Sequence, residues 1–433
     1  MSILSTIQKI LPKGKFARNA TILSGGTLLG QGLAVVIMPL LTRLYDPTDF
    51  GVLAIFVSIL SVLAVIASLK YHLAIILPAE NNMAINIAAL SMLMVIGITV
   101  LTSLCLFFWG GKSLQVINML EMKPYLWIIP LSLFGVGVYE VLHYWAIRRQ
   151  NFRSIAQTKI SQGIGLAVTQ IAFGLITRGP IGLLLGHTIG WTSGSGTLAS
   201  LFWKNDRQLI KEISLDRMKT MAIRYKKFPL ISSISGAINS AGLQVAPMML
   251  ASMYGATIVG FFSLTQRIMG VPLRFVGTSV AQVYTSETAR LAIDNPGGLS
   301  KHFIKRAKIL LIIGGIPILI LGQICPFVFG FIFGETWSEA GQYAQVLSVI
   351  SAVNFVVLPL SSTLNVLEKQ GTQFIWDIGR FTIVVFVFLI CAKLKLPAFT
   401  TIGIYAASMS FAYVILFMLA YRAVKQMSNN KYA

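Results

Sequence analysis

The chain holds 433 residues, of which 55% are hydrophobic and only 11% charged, with a formal net charge of +21. Soluble domains carry about 25% charged residues, so this composition excludes an ordinary water-soluble enzyme. The apolar residues fall in long uninterrupted runs, which describe membrane spans rather than buried strands, and basic residues spread over the loops of such a chain set orientation rather than bind nucleic acid.

With roughly 20 apolar residues required per span, twelve helices are predicted in chain order. They fall near residues 19–42, 50–69, 84–109, 125–147, 160–177, 181–203, 229–252, 257–285, 309–333, 342–365, 374–392 and 399–421. The first follows a basic stretch (Lys9, Lys13, Lys15, Arg18) and is long enough to span, so it reads as an uncleaved first helix rather than a signal peptide. Runs such as Phe381 to Ile390 show no apolar/polar alternation, against transmembrane strands. Cys105, Cys325 and Cys391 each sit inside an apolar run; their odd number and wide spacing support neither a disulfide framework nor a zinc site, and small buried hydrophobes is the simpler reading.

Of the 35 lysines and arginines, 27 fall in alternate loops together with both termini, and 6 fall in the opposite loops: Arg43, Lys112, Lys123, Arg178, Lys393 and Lys395. That asymmetry places both termini in the cytoplasm. The expected fold is an all-α integral membrane protein with about twelve transmembrane helices. The longest polar break divides them into an N-terminal six-helix lobe (residues 1–203), a cytoplasmic linker (204–228) and a C-terminal six-helix lobe (229–433). Sliding one half over the other by 209 positions aligns Ser24 with Ser233, Tyr45 with Tyr254 and Gly51 with Gly260, and brings Pro39 within a position of Pro247. Such an internal repeat fits two lobes around a central cavity, an architecture many transporters use.

Ionisable groups at bilayer depth are costly and face a cavity or a partner. In the eighth span Arg267 and Arg274 are seven residues apart, two helical turns, and share a face, with Pro272 between them freeing a backbone carbonyl. Two permanent cations there suit bidentate capture of phosphate; snorkelling or pairing with a buried acid is the alternative. In the fourth span Glu140 and His143 stand at i and i+3, either as a proton-linked pair or with Glu140 serving as counter-ion to a cavity arginine. The same spacing occurs in di-iron bundles, but the companion glutamates are missing, so no metal is expected. Lys70, at the end of the second span, reads as a cavity cation or as a topology anchor. His187 reads as a packed core histidine. Arg148, Arg149 and Arg153 read as anchors that meet anionic headgroups.

The stretch Asn19-Ala-Thr-Ile-Leu-Ser-Gly-Gly-Thr-Leu-Leu-Gly-Gln31, then Pro39-Leu-Leu-Thr-Arg-Leu-Tyr-Asp-Pro-Thr-Asp-Phe-Gly51 and Leu69-Lys-Tyr-His-Leu-Ala-Ile-Ile-Leu-Pro78, resembles the opening of the bacterial polysaccharide-biosynthesis (O-antigen) flippases of the multidrug/oligosaccharidyl-lipid/polysaccharide exporter superfamily. Arg267 and Pro272 also stand at the spacing that the related lipid II flippases show in their eighth span. Where the family has Tyr-Glu after the second span, here Tyr71 is followed by His72, so a role for an acid at that place does not transfer. The resemblance implies a multi-pass protein of the bacterial cytoplasmic membrane that works by alternating access. Its implied cargo is an undecaprenyl-diphosphate-linked oligosaccharide, its implied partners are membrane lipids, a polysaccharide polymerase and chain-length machinery, and it implies no cofactor. A diphosphate matches cavity cations at Arg267, Arg274 and Lys70. A cation-coupled multidrug antiporter of the same superfamily is the alternative, although Glu140 is the one acid well inside a span. A membrane glycan polymerase is the more distant one, since DxD, P-loop, GxSxG and HExxH patterns are absent.

Overall fold

The computed structural model describes residues 15–429, and side chains throughout that range except at 15–24, 278 and 279. The basic residues Lys9, Lys13 and Lys431 lie outside it, as do the side chains of Lys15 and Arg18. Sixteen α-helices, joined by short 3-10 and π turns, make up the described chain: α1 (Lys15–Val36), α2 (Met38–Leu44), α3 (Pro47–Ile66), α4 (Asn81–Val116), α5 (Ile128–Arg148), α6 (Phe152–Ile176), α7 (Ile181–Thr192), α8 (Ser195–Asp206), α9 (Leu215–Arg224), α10 (Ile234–Met269), α11 (Thr278–Asp294), α12 (Leu299–Leu310), α13 (Ile316–Phe333), α14 (Ser338–Val366), α15 (Gln370–Lys393) and α16 (Ala398–Asn429). With no water to pair backbone groups in lipid, helices are the form such apolar runs take.

Ten stretches of the described residues are long and apolar enough to cross a membrane. One of them, Phe228–Met269, is 42 residues long. Within it Gly255 adopts φ 78 and ψ −175, a left-handed, non-helical link that divides the stretch in two. Its second part continues through the π turn Leu273–Gly277 into α11. Helices α7 and α8 are each too short to span alone but follow one another across Ser193 and Gly194. Read this way, the described helices give the twelve spans expected from hydropathy.

The described residues form two compact units: residues 15–45 with 55–244, and residues 46–54 with 245–429. The first eight residues of α3 thus group with the second unit, and the start of α10 with the first. In the first unit α1 lies close along α6 because small residues meet backbone: a Cβ added at Gly26 would press on Ala156, one at Gly30 on the Lys159 carbonyl, and one at Gly163 on Gly30. Membrane helices approach through such small-residue faces, since lipid supplies no hydrophobic drive to pack larger ones. The linker segment is helical and fastened to this unit. Asn86, fully buried, donates to the Glu212 carbonyl (3.0 Å) and accepts from the Ser214 amide (2.9 Å), and Ser214 caps α9. Met218 packs with Tyr71 and Leu90 under the amphipathic α9.

The second unit centres on α13, α14 and α16. Trp337 is fully buried between Phe50 (4.9 Å between ring centres) and Phe261 (5.8 Å), and Thr265 donates to the Ala340 carbonyl (2.9 Å). Here the 209-residue spacing becomes a physical contact. Thr48 and Thr257, 209 residues apart, share a hydrogen bond of 2.9 Å. A Cβ on Gly51 would collide with the Ala256 carbonyl oxygen, and one on Gly260 with the Pro47 carbonyl oxygen. Positions 47, 48 and 51 therefore meet 256, 257 and 260 reciprocally, as repeat-related segments do when they cross about a local two-fold axis. Tyr45 and Tyr254 share a task as well: the first donates to the Gln170 carbonyl (2.6 Å) in the first unit, the second to the Leu396 carbonyl (2.7 Å) in the second.

Two of the three cysteines, Cys325 and Cys391, are buried; Cys105 is exposed on α4, which corrects the expectation that all three are core residues. Its neighbours Leu101, Leu104 and Phe108 are also exposed apolar groups, so this face of α4 is lipid-facing rather than core.

Candidate functional site

The first unit contains a cavity of about 560 Å³ whose wall includes Lys70, Glu140 and Lys159. Each arrives by a different route. After α3 the chain reverses through two consecutive left-handed residues, Leu69 (φ 48) and Lys70 (φ 61). Each such residue costs roughly 1–2 kcal/mol, and the reversal leads into the 3-10 turn Tyr71–Ile76, with Lys70 on the cavity wall. Gly236 of α10 lies beside that side chain: a Cβ there would press on Val65 Cγ1 (2.9 Å) and stand in ordinary contact with Lys70 Cε (3.4 Å). The loop that follows is held by Arg148, which donates to the carbonyls of Ile75 (3.2 Å), Pro78 (2.6 Å) and Ala79 (3.1 Å). Arg148 is thus a staple for the segment carrying Lys70, not the headgroup anchor its position in the sequence implied. Arg149 forms an ion pair with Asp206 and lies over the Trp145 ring at 5.5 Å, so it too serves the fold.

Lys159 lies two turns into α6, brought to the cavity by the close α1–α6 packing. Its ammonium donates to Gln162 Oε1 (3.2 Å) and sits 5.0 Å from the centre of the Tyr139 ring, a favourable cation–π distance. Glu140 is half-buried on α5, and the charges acting most on it are Lys159 and Lys70; no carboxylate–ammonium contact of ion-pair length joins them among the described residues. His143 is not joined to Glu140. Its ring stacks on Tyr139 (5.5 Å, 11°), and its buried Nδ1 has no hydrogen-bond partner among the described residues. His72, on the segment between α3 and α4, lines the cavity with its Nδ1 against the Ser68 hydroxyl. Burial, together with nearby Lys70 and His143, pushes its imidazole down to about 3, so it is uncharged at neutral pH. His187 packs between Phe56 (6.0 Å) and Trp191 (4.6 Å), as the sequence suggested.

The second unit places Arg267 in the last turn of α10 and Arg274 in the π turn beyond Pro272. A guanidinium N–H of Arg274 reaches back to the Arg267 backbone carbonyl (3.5 Å), so the Arg274 side chain lies along the last turn of α10. Arg267 is half-buried, and among the described residues no carboxylate lies within ion-pair distance of it. A single arginine at the centre of a membrane helix costs about 2.5–3.5 kcal/mol on insertion scales; a second guanidinium nearby adds repulsion.

Lys159 escapes the sequence reading because it stands just before the apolar run and counts there as an orientation charge. The pattern Lys159-x-x-Gln162-Gly163 beside a helix with Gly26 and Gly30 is the signal that could have located it. The aromatic wall of Tyr139, Tyr144 and Trp191 gives no comparable signal, since such rings are common in any membrane core.

An all-helical chain with ten stretches long and apolar enough to cross a membrane among the described residues has the make-up of a multi-pass membrane protein. The structure of an inward-facing multidrug resistance MATE family transporter of the MOP superfamily is similar over 95% of this chain and 99% of that one (TM-score 0.76, 13% identity). The lipid II flippase MurJ is similar over 95% and 90% (TM-score 0.65, 12% identity). Residues 40–342 match the profile of the polysaccharide biosynthesis protein family, and the chain belongs to that family. It is 20% identical over 385 residues to the lipopolysaccharide biosynthesis protein WzxC of Escherichia coli (strain K12), covering 87% of this chain and 74% of that protein. It is 23% identical over 367 residues to the succinoglycan biosynthesis transport protein ExoT of Rhizobium meliloti (strain 1021), covering 80% and 68%. The match to the teichuronic acid biosynthesis protein TuaB of Bacillus subtilis (strain 168) is 23% identical but spans only 34% of this chain and 30% of that protein.

Proposed function

We propose that the protein carries an undecaprenyl-diphosphate-linked oligosaccharide from the inner to the outer leaflet of the bacterial cytoplasmic membrane by alternating access, supplying surface polysaccharide assembly. It acts as a transporter, not an enzyme, and its product passes to a polymerase and chain-length machinery. Arg267 carries this reading: a half-buried guanidinium on a membrane helix, without an acid in ion-pair distance among the described residues. Hiding a diphosphate from water is prohibitive without fixed countercharge, and Arg267, with Arg274 close by, supplies it in the bidentate form that suits phosphate. An inside-negative membrane helps the outward step by about 2.3 kcal/mol per elementary charge per 100 mV.

A strain lacking the gene tests this directly. The expected result is loss of surface polysaccharide with lipid-linked intermediates accumulating at the inner leaflet. Normal polysaccharide with increased sensitivity to cationic drugs would instead favour the antiporter reading, for which Glu140 is the one supporting observation.

A further inference from the structure

We propose that the first unit's cavity selects the sugar part of the cargo, and that it selects a carboxylated sugar such as a hexuronate. This rests on the transport reading above and names its substrate class. The titratable groups on the wall are Lys70, Lys159, Glu140, uncharged His72 and the phenols of Tyr139 and Tyr144. Two ammoniums against one carboxylate leave the wall net positive, which repels a cation and attracts an anion.

The remainder of the wall argues for a sugar rather than a bare phosphate. Trp191 and Tyr144 present ring surface, and Gln31 presents an amide; ring faces pack against the C–H faces of a pyranose, and an amide both donates to and accepts from hydroxyls. A diphosphate, which only accepts, has no use for rings or for the amide oxygen. The cavity's 560 Å³ falls within the roughly 300–1,000 Å³ of small-molecule sites. Lys159 is the reader of the carboxylate. Of its three N–H donors, Gln162 takes one (3.2 Å) and the Tyr139 ring face holds the head at 5.0 Å, which orients a remaining donor. Glu140 accepts from sugar hydroxyls and keeps the two lysines from repelling each other when the cavity is empty.

The test uses the full chain in lipid nanodiscs and two sets of polyprenyl-diphosphate-linked oligosaccharides. One set carries a glucuronosyl residue at either of the first two positions; the other is its carboxyl-reduced glucosyl twin, with the same lipid and diphosphate. The wild-type protein is expected to bind a glucuronosyl probe about tenfold more tightly than its twin. Lys159→Gln, and separately Lys70→Gln, should cut that preference below twofold by weakening the charged probe alone, and Lys159→Arg should keep it. Equal affinity of the wild-type protein for both sets overturns the inference and leaves the transport reading standing. Equal weakening of both sets by Lys159→Gln also overturns it, because the lysine then reads the diphosphate. Binding of neither set by the wild-type protein removes both.

Discussion

The two units share a frame and differ in where they hold charge. Tyr45 and Tyr254 each tie a helix end to a carbonyl within their own unit, and the segments around Gly51 and Gly260 meet in reciprocal fashion. The ionic groups do not follow that symmetry. The first unit has two lysines and a glutamate on an aromatic wall, and the second has arginines at a helix break. Counting back 209 residues from Arg267 reaches Ser58, which donates to Gln244 (3.0 Å), and from Arg274 reaches Val65, a cavity-wall residue. Packing between helices constrains glycines, threonines and buried phenols, because any larger group strikes backbone; wall positions are under no such constraint. A duplicated frame can therefore persist while each copy takes on its own ligand chemistry.

The sharpest way to break this division is Arg267→Ala. Surface polysaccharide should fall to the level of the deletion strain at unchanged protein abundance, with Arg267→Lys rescuing only in part because lysine offers no bidentate fork. Full display with alanine would take the phosphate role away from the second unit. Next come the reciprocal glycines. Gly51→Val and Gly260→Val should each lower the thermal midpoint of the purified protein by a similar amount, equivalent to about 1–3 kcal/mol of overpacking, while Gly97→Ala, with nothing within 4 Å of its added carbon, should not. Unequal shifts would break the reciprocity.

Smaller effects sharpen the comparison. Tyr45→Phe removes the bond to the Gln170 carbonyl, and Tyr254→Phe removes those to the Leu396 carbonyl and the Thr401 hydroxyl; at about 0.5–1.5 kcal/mol per bond, the second should cost more in the same melting assay. The least expected change is in pH response. With the His72 imidazole held at about 3 by burial, its protonation is complete only below that value, so His72→Gln should leave the shape of the transport–pH profile between pH 6 and 8 unaltered. A shifted profile would mean that the ring titrates there.

Much of the fold was legible because a membrane makes a local demand: each span must satisfy its own backbone and present apolar side chains along its length, and both are visible in consecutive residues. The break at Pro272 and the cations Arg267 and Arg274 were legible for the same reason, since charge and proline stand out in an apolar run. The pairing of Glu140 with His143 was suggested by spacing along one helix, but His143 turned to Tyr139, and the groups acting on Glu140 came from other segments. Sequence by itself determined the all-helical membrane class, the number of spans and the 209-residue spacing. Tertiary structure alone decided that Lys159 joins Lys70 and Glu140 on one wall, and that Arg148 staples a loop. Those outcomes depend on which helices lie side by side, and that is governed by contacts between residues far apart in the chain.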